Sequence, residues 1–182
     1  YNIPFSLLKC RSLIIVDNKN EINSSISLTN SQLYVLVALR VLIGWHILYE
    51  GIAKLVSPYW SSAGFLLDSK WIFSGLAKTI VSNPTLLTIS DYGNMWALTI
   101  IGLLLMIGLF NRYASIAGMI LILSYYLFSP PFVGLEYSRP GEGSYITVNK
   151  NLIEACALLV LYYLPTSHLI GLDRLIYKTK VV

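Results

Sequence analysis

Residues 33–56 form one apolar run of membrane length, yet the run carries Arg40, His46, Glu50 and Lys54. Ionisable groups are costly in hydrocarbon, so they face a bundle interior, a partner or water, and they often mark function. His46, Glu50 and Lys54 are spaced four apart and therefore share one stripe of a helix. A helix facing lipid all round has no use for such a stripe. This one must turn it toward something.

Composition extends the point. The 182 residues are 55% hydrophobic and only 12% charged, against about 25% charged residues in an ordinary soluble domain. The reading is an all-α integral membrane protein in contact with a lipid bilayer. The net charge of +4 comes with no basic block interleaved with aromatics, which excludes a nucleic-acid footprint. The charge suits lysines and arginines near anionic lipid. Cys10 and Cys156 are isolated, giving neither a CxxC pair nor zinc-ligand spacing. Residues 1–16 lack the order of a signal peptide.

The polar stretch 17–31 reads as a loop ending in an N-cap at Asn30 or Ser31. Residues 1–31 are thus set apart as a polar, interfacial segment. Four spans follow within 32–176, at about 33–56, 92–110, 113–129 and 148–164. Ser57-Pro58-Tyr59-Trp60 breaks the first. Lys70 to Val81 reads as a short amphipathic helix ended by Asn83-Pro84, with Trp60 and Trp71 at headgroup level. The fold expected is a membrane four-helix bundle with this extra amphipathic helix between spans one and two. Several spans fall short of the roughly 20 residues usually needed. The segment from Gly171 to Lys178 is amphipathic and interfacial, and 177–182 is a tail.

With four spans, both termini and the Asn111-Arg112 turn share a side. That side holds Lys9, Arg11, Lys19, Arg112, Arg174, Lys178 and Lys180; the other holds Lys54, Lys70, Lys78, Arg139 and Lys150. The bias places both termini in the cytoplasm. The polar groups then converge on the outer side: Glu50 and Lys54, Asp91 and Asn94, Glu136, Arg139 and Glu142, and Asn149 to Glu154. Lys150 and Glu154 repeat the i,i+4 spacing of Glu50 and Lys54, so the two pairs can meet in one buried network. Such pairs either staple helices, form a substrate, quinone or proton site, or dock a partner. His46, Trp60, Asn94 and Asn151 are candidate substrate contacts around them.

His168 follows the fourth span, on the side opposite His46, which lies roughly 20 Å up its helix. The two cannot ligate one haem. Gly141-Glu142-Gly143 has no preceding strand and no dinucleotide spacing. No metal-ligand set or hydrolytic triad is visible. No cofactor is therefore expected within the chain, and a quinone is the ligand to consider. Gly102, Gly108, Ala114 and Gly118 read as close-packing positions.

Several short pieces, in order, resemble the DoxX/DoxD family of small bacterial and archaeal membrane proteins. They are Arg40 with Glu50-Gly51-Ile52-Ala53-Lys54-Leu55, then Trp60-Ser61-Ser62-Ala63-Gly64-Phe65-Leu66, then Ile101-Gly102 through Gly108-Leu109-Phe110-Asn111-Arg112, and Asn149-Lys150-Asn151-Leu152-Ile153-Glu154. The resemblance spans about 33–175. It implies a four-helix membrane bundle in the cytoplasmic membrane, and some members are subunits of a thiosulfate:quinone oxidoreductase. Two functional readings stand. In one, the chain is the membrane subunit of a quinone-linked oxidoreductase, with Glu50, Lys54, Lys150 and Glu154 as its polar cluster. In the other it is a non-catalytic anchor or assembly subunit. Both readings require protein partner subunits.

Overall fold

The computed structural model describes residues 29–132, 134, 135, 137 and 146–178. The chain divides into two compact units, 1–33 and 34–182, and only Thr29–Leu33 of the first are described. The interfacial segment 1–28, Glu136, Arg139, Glu142 and the tail beyond 178 lie outside the described residues.

The first helix, α1, runs Asn30–Val56. Asn30 is already helical, so the cap is one residue earlier than expected. The Thr29 N–H donates to Gln32 Oε1 at 2.9 Å, the returning arm of a capping box. Two short helices follow, α2 (Ala63–Leu67) and α3 (Ser74–Ser82). The second is the expected amphipathic segment, trimmed to start four residues late. Helix α4 spans Pro84–Ile107, beginning eight residues before the expected second span. Asn83-Pro84 does end α3, but it also opens α4. Proline fits the first helical turn, where its missing N–H costs nothing, and the Asn83 side chain accepts from Thr85 and Leu86 N–H at 3.1 and 3.4 Å. Helices α5 (Asn111–Phe128), α6 (Lys150–Tyr163) and α7 (Asp173–Lys178) complete the described chain.

Helices α1, α4, α5 and α6 supply one apolar core, with Ile43 and Ile47, Leu98, Ile101 and Leu105, Ala114 and Ile122, and Ala155, Leu158 and Leu161. The α1–α4 contact is close because glycines form it. A Cβ on Gly102 would collide with the Leu48 nitrogen, and one on Gly51 would stand 2.6 Å from the Thr99 nitrogen. Gly118 likewise faces Ile101 and Leu158. Gly108 has the close-packing role expected of it, since a Cβ there would stand 3.0 Å from Gly171 Cα and from the Arg40 guanidinium, and it has a second role. It ends α4 with φ +67, a left-handed cap that glycine adopts without a Cβ penalty.

Among the described residues two helices are long and apolar enough to cross a bilayer, α1 and α4, and only 33% and 22% of their apolar windows are buried in the protein. Most of that apolar surface therefore faces outward, as for helices in lipid and unlike the core helix of a soluble domain. Helix α6 has only 14 residues, about 21 Å, against a hydrocarbon thickness of about 30 Å. Its late start leaves room beside the upper turns of α1.

Candidate functional site: a polar cavity beside α6

That room is a cavity of about 470 Å³. Helix α1 contributes His46, Glu50 and Lys54 from its polar stripe, and α4 contributes Asn94. Helix α5 gives Tyr125, and the first turns of α6 give Lys150, Asn151 and Glu154. Trp60, Phe65 and Asp68 close it from the α1–α4 connection, and Ser129, Pro131 and Tyr137 from the segment after α5. All eight residues singled out from the sequence, Glu50, Lys54, Lys150, Glu154, His46, Trp60, Asn94 and Asn151, line this one cavity.

The pairing within it differs from the expected one. Lys54 Nζ lies 3.6 Å from Glu50 Oε2, an i,i+4 contact along α1. Glu154, however, meets His46, with Oε1 2.9 Å from Nδ1. The Glu154 side chain is 10% exposed and the His46 side chain 45%. The pair therefore joins α1 to α6 at the cavity wall. The Lys54 ammonium sits over two aromatic faces, 5.2 Å from the Trp60 ring centre and 5.5 Å from that of Tyr125. Cation–π attraction at such distances fixes a flexible lysine in place. The Tyr125 hydroxyl donates to Asn94 Oδ1.

The rim is tied down by local hydrogen bonds. Asp91 does not line the cavity; its Oδ1 accepts from the N–H and hydroxyl of Ser62 and anchors the start of α2 to α4. Ser69 Oγ donates to the Phe128 carbonyl at 2.8 Å. Tyr137 Oη donates to the Pro130 carbonyl at 2.8 Å. Burial pushes the Tyr137 phenol above its ordinary value, with Asp68 adding to the effect against a hydrogen bond from Ser129. It remains a protonated donor at neutral pH. Asn149 caps α6 by accepting from the Leu152 N–H at 3.1 Å, which leaves the positive end of that helix at the cavity.

A second polar cluster lies at the level of the α4–α5 turn, around Arg40 in the first half of α1. Arg40 is 2% exposed; its Nη1 donates to Thr166 Oγ1 at 3.0 Å and its Nη2 to the Ile170 carbonyl at 2.8 Å. Asp173 accepts from the N–H groups of Phe110 at 2.8 Å and Asn111 at 3.3 Å. Burial alone raises the Asp173 carboxyl. The adjacent Ser167 hydroxyl, these two N–H donors and the charge of His168 outweigh it and hold the group below its ordinary 3.8. The firmest hold on the carboxylate comes from the two backbone donors, one on each oxygen. This cluster pins the segment after α6 to the α4–α5 turn. It is a lock rather than a binding site. The sequence marked Arg40 as costly but gave Asp173 no role beyond an interfacial helix.

Residues 35–129 match the DoxX family model. The chain belongs to the DoxX family. No curated protein and no solved structure was found to match it. In this DoxX-family chain the matched stretch runs from α1 to the end of α5 and includes His46, Glu50, Lys54, Trp60, Asn94 and Tyr125. The α6 residues that complete the cavity, Lys150, Asn151 and Glu154, lie beyond it. Membership and the two long apolar helices together make this a membrane protein in contact with lipid. Among the described residues no group of three or more histidine, cysteine or acidic side chains is arranged to hold a metal. Sequence reasoning missed Tyr125, Tyr137, Phe65 and Asp68. Tyrosines at span ends are ordinary at a membrane interface, so nothing in the chain distinguishes Tyr125 from the adjacent Tyr126.

Proposed function

We propose that this chain is the membrane part of a quinone-linked oxidoreductase complex, that α1, α4, α5 and α6 all span the bilayer as a four-helix bundle with both termini in the cytoplasm, and that the cavity receives the quinone headgroup. One observation carries the reading: a cavity of headgroup size, in a membrane protein, gathers a carboxylate–imidazole pair and a lysine fixed between aromatic rings. Reducing a quinone to a quinol takes two electrons and two protons, one proton to each carbonyl oxygen. A partner redox protein supplies the electrons. His46 and Glu154 are the groups suited to pass protons. Lys54, Lys150 and the N-terminus of α6 favour the oxyanion that forms as charge arrives.

The test is binding of a short-chain benzoquinone to the purified chain in nanodiscs, followed by quenching of tryptophan fluorescence. The wild type should bind, and Lys54→Met and Glu154→Gln should each weaken binding tenfold or more. Absence of binding to the wild type would sink the reading.

A second reading, a non-catalytic anchor, draws on the α1–α4 connection, where Tyr59, Leu67 and Ile72 are 95%, 61% and 71% exposed. Such side chains can hold a partner subunit. Under that reading, changing Tyr59 and Ile72 to serine releases a co-purifying protein, while Glu154→Gln leaves the complex and its turnover intact.

A further inference from the structure

A groove of about 390 Å³ runs down the lipid-facing side between α1 and α6. Its walls are almost wholly apolar: Leu39, Leu42 and Ile43 on α1 face Ile153 and Ala157 on α6. At its upper end it meets His46, Lys150 and Glu154, which also line the polar cavity. The His46–Glu154 pair thus stands between a polar chamber and a hydrocarbon-lined channel. From His46 to Leu39 the groove descends roughly 10 Å along α1 at 1.5 Å per residue, away from the cavity and to the level of Arg40.

We propose that this groove is the lateral entry and tail site for a membrane-dissolved amphiphile, with the polar head in the cavity beyond the His46–Glu154 pair and the hydrocarbon tail between α1 and α6. The inference rests on the quinone reading above for the identity of the head, and adds the route and the tail. Three features select this occupant. The groove abuts the cavity across the His46–Glu154 pair, which lines both, so one molecule fills both when that contact parts. Its polarity changes along its length as an amphiphile's does, charged at the cavity end and apolar below. It opens on the surface of an apolar helix whose outward face suits lipid, so a ligand dissolved in the bilayer reaches the cavity without crossing water. A water-soluble substrate has no use for such a groove.

The experiment uses the full chain in nanodiscs with two probes, a decyl-tailed benzoquinone bearing a diazirine on its tail and the same ring without the tail. Irradiation of the tailed probe should label peptides covering 39–46 and 150–157. Ala157→Phe fills the groove and should weaken the tailed probe at least tenfold while leaving the tail-less ring unchanged. Leu42→Trp, at an exposed position on the rim, should act in the same direction if Ala157→Phe fails to express. Labelling elsewhere, with both probes bound normally by these variants, overturns the groove and leaves the cavity reading standing. Labelling of the groove without binding of the tail-less ring supports the tail site and overturns the quinone head. Failure of both probes to bind overturns both.

Discussion

Glu154 on α6 and His46 on α1 are 108 residues apart in the chain and 2.9 Å apart in space. The contact ties together the two helices that flank the groove, at the level where the cavity begins. Each group is the other's partner in a setting where Glu154 is nearly buried. Removing one leaves a desolvated polar group behind, which costs more than removing both. A double-mutant cycle with His46→Ala and Glu154→Gln should therefore give a coupling of about 0.5–3 kcal/mol, read as thermal unfolding in detergent. Additive single effects would show that the pair is incidental.

Arg40 is predicted to matter for stability and not for ligand binding. It lies roughly 20 Å along α1 from Lys54 at 1.5 Å per residue and holds Thr166 and Ile170 by its two Nη atoms. Arg40→Met should cost about 3 kcal/mol by unpairing a buried network. Quinone affinity in the fraction that remains folded should be unaltered. A selective loss of binding would contradict this division.

Acid sensitivity should trace to Asp173. Its folded-state value lies below the ordinary 3.8, so the stability it adds is present above the unfolded value. That contribution is lost as pH falls through the lower folded value. Thermal midpoints should therefore drop on acidification below about pH 4, and Asp173→Asn should flatten that limb while lowering stability at neutral pH. An unchanged acid limb in the variant would assign the sensitivity elsewhere.

The glycines make opposite predictions according to their surroundings. Gly102→Ala forces apart backbones in contact at α1 and α4, which should cost about 1–3 kcal/mol. Gly75, in α3, has nothing within 4 Å of where a Cβ would lie. Gly75→Ala should be neutral or stabilising by up to about 1 kcal/mol. Chemical denaturation of the two variants side by side checks the contrast.

Sidedness follows from the arrangement of the two polar clusters. In a chain cleared of Cys10 and Cys156, a cysteine at Tyr59 should react with an impermeant maleimide added outside. One at Arg174 should react only after permeabilisation. The reverse result would turn the cavity toward the cytoplasm.

The gathering of the cavity residues was legible because membrane burial makes each polar residue conspicuous. Glu50, Lys54, Asn94 and the Asn149–Glu154 run stand out against apolar sequence, and span counting places them at one end. Which of them pair was not legible. Spacing of i,i+4 proposes Lys150 with Glu154, whereas the His46–Glu154 contact depends on the rotation of α6 about its axis, which is set by packing of Ala155, Leu158 and Leu161 in the core. The start of α4 was misplaced for a local reason. Asn-Pro terminates one helix and caps the next with the same two residues, and pattern reading took only the first meaning. The α2 helix, of five residues, is too short to leave a periodic signal.

The turn between α4 and α5 places Phe110 at φ 50, a backbone region that costs an L-residue about 1–2 kcal/mol. The amide groups of Phe110 and Asn111 are held by a carboxylate that follows 63 residues after Phe110. During synthesis, therefore, α4 and α5 are complete well before the group that clasps their turn exists. The clasp on the turn can form only after the segment that follows α6 has been made. The residues of α6 that complete the cavity wall and the carboxylate that clasps the turn thus lie on one late stretch of chain, so a chain cut short before α6 lacks both.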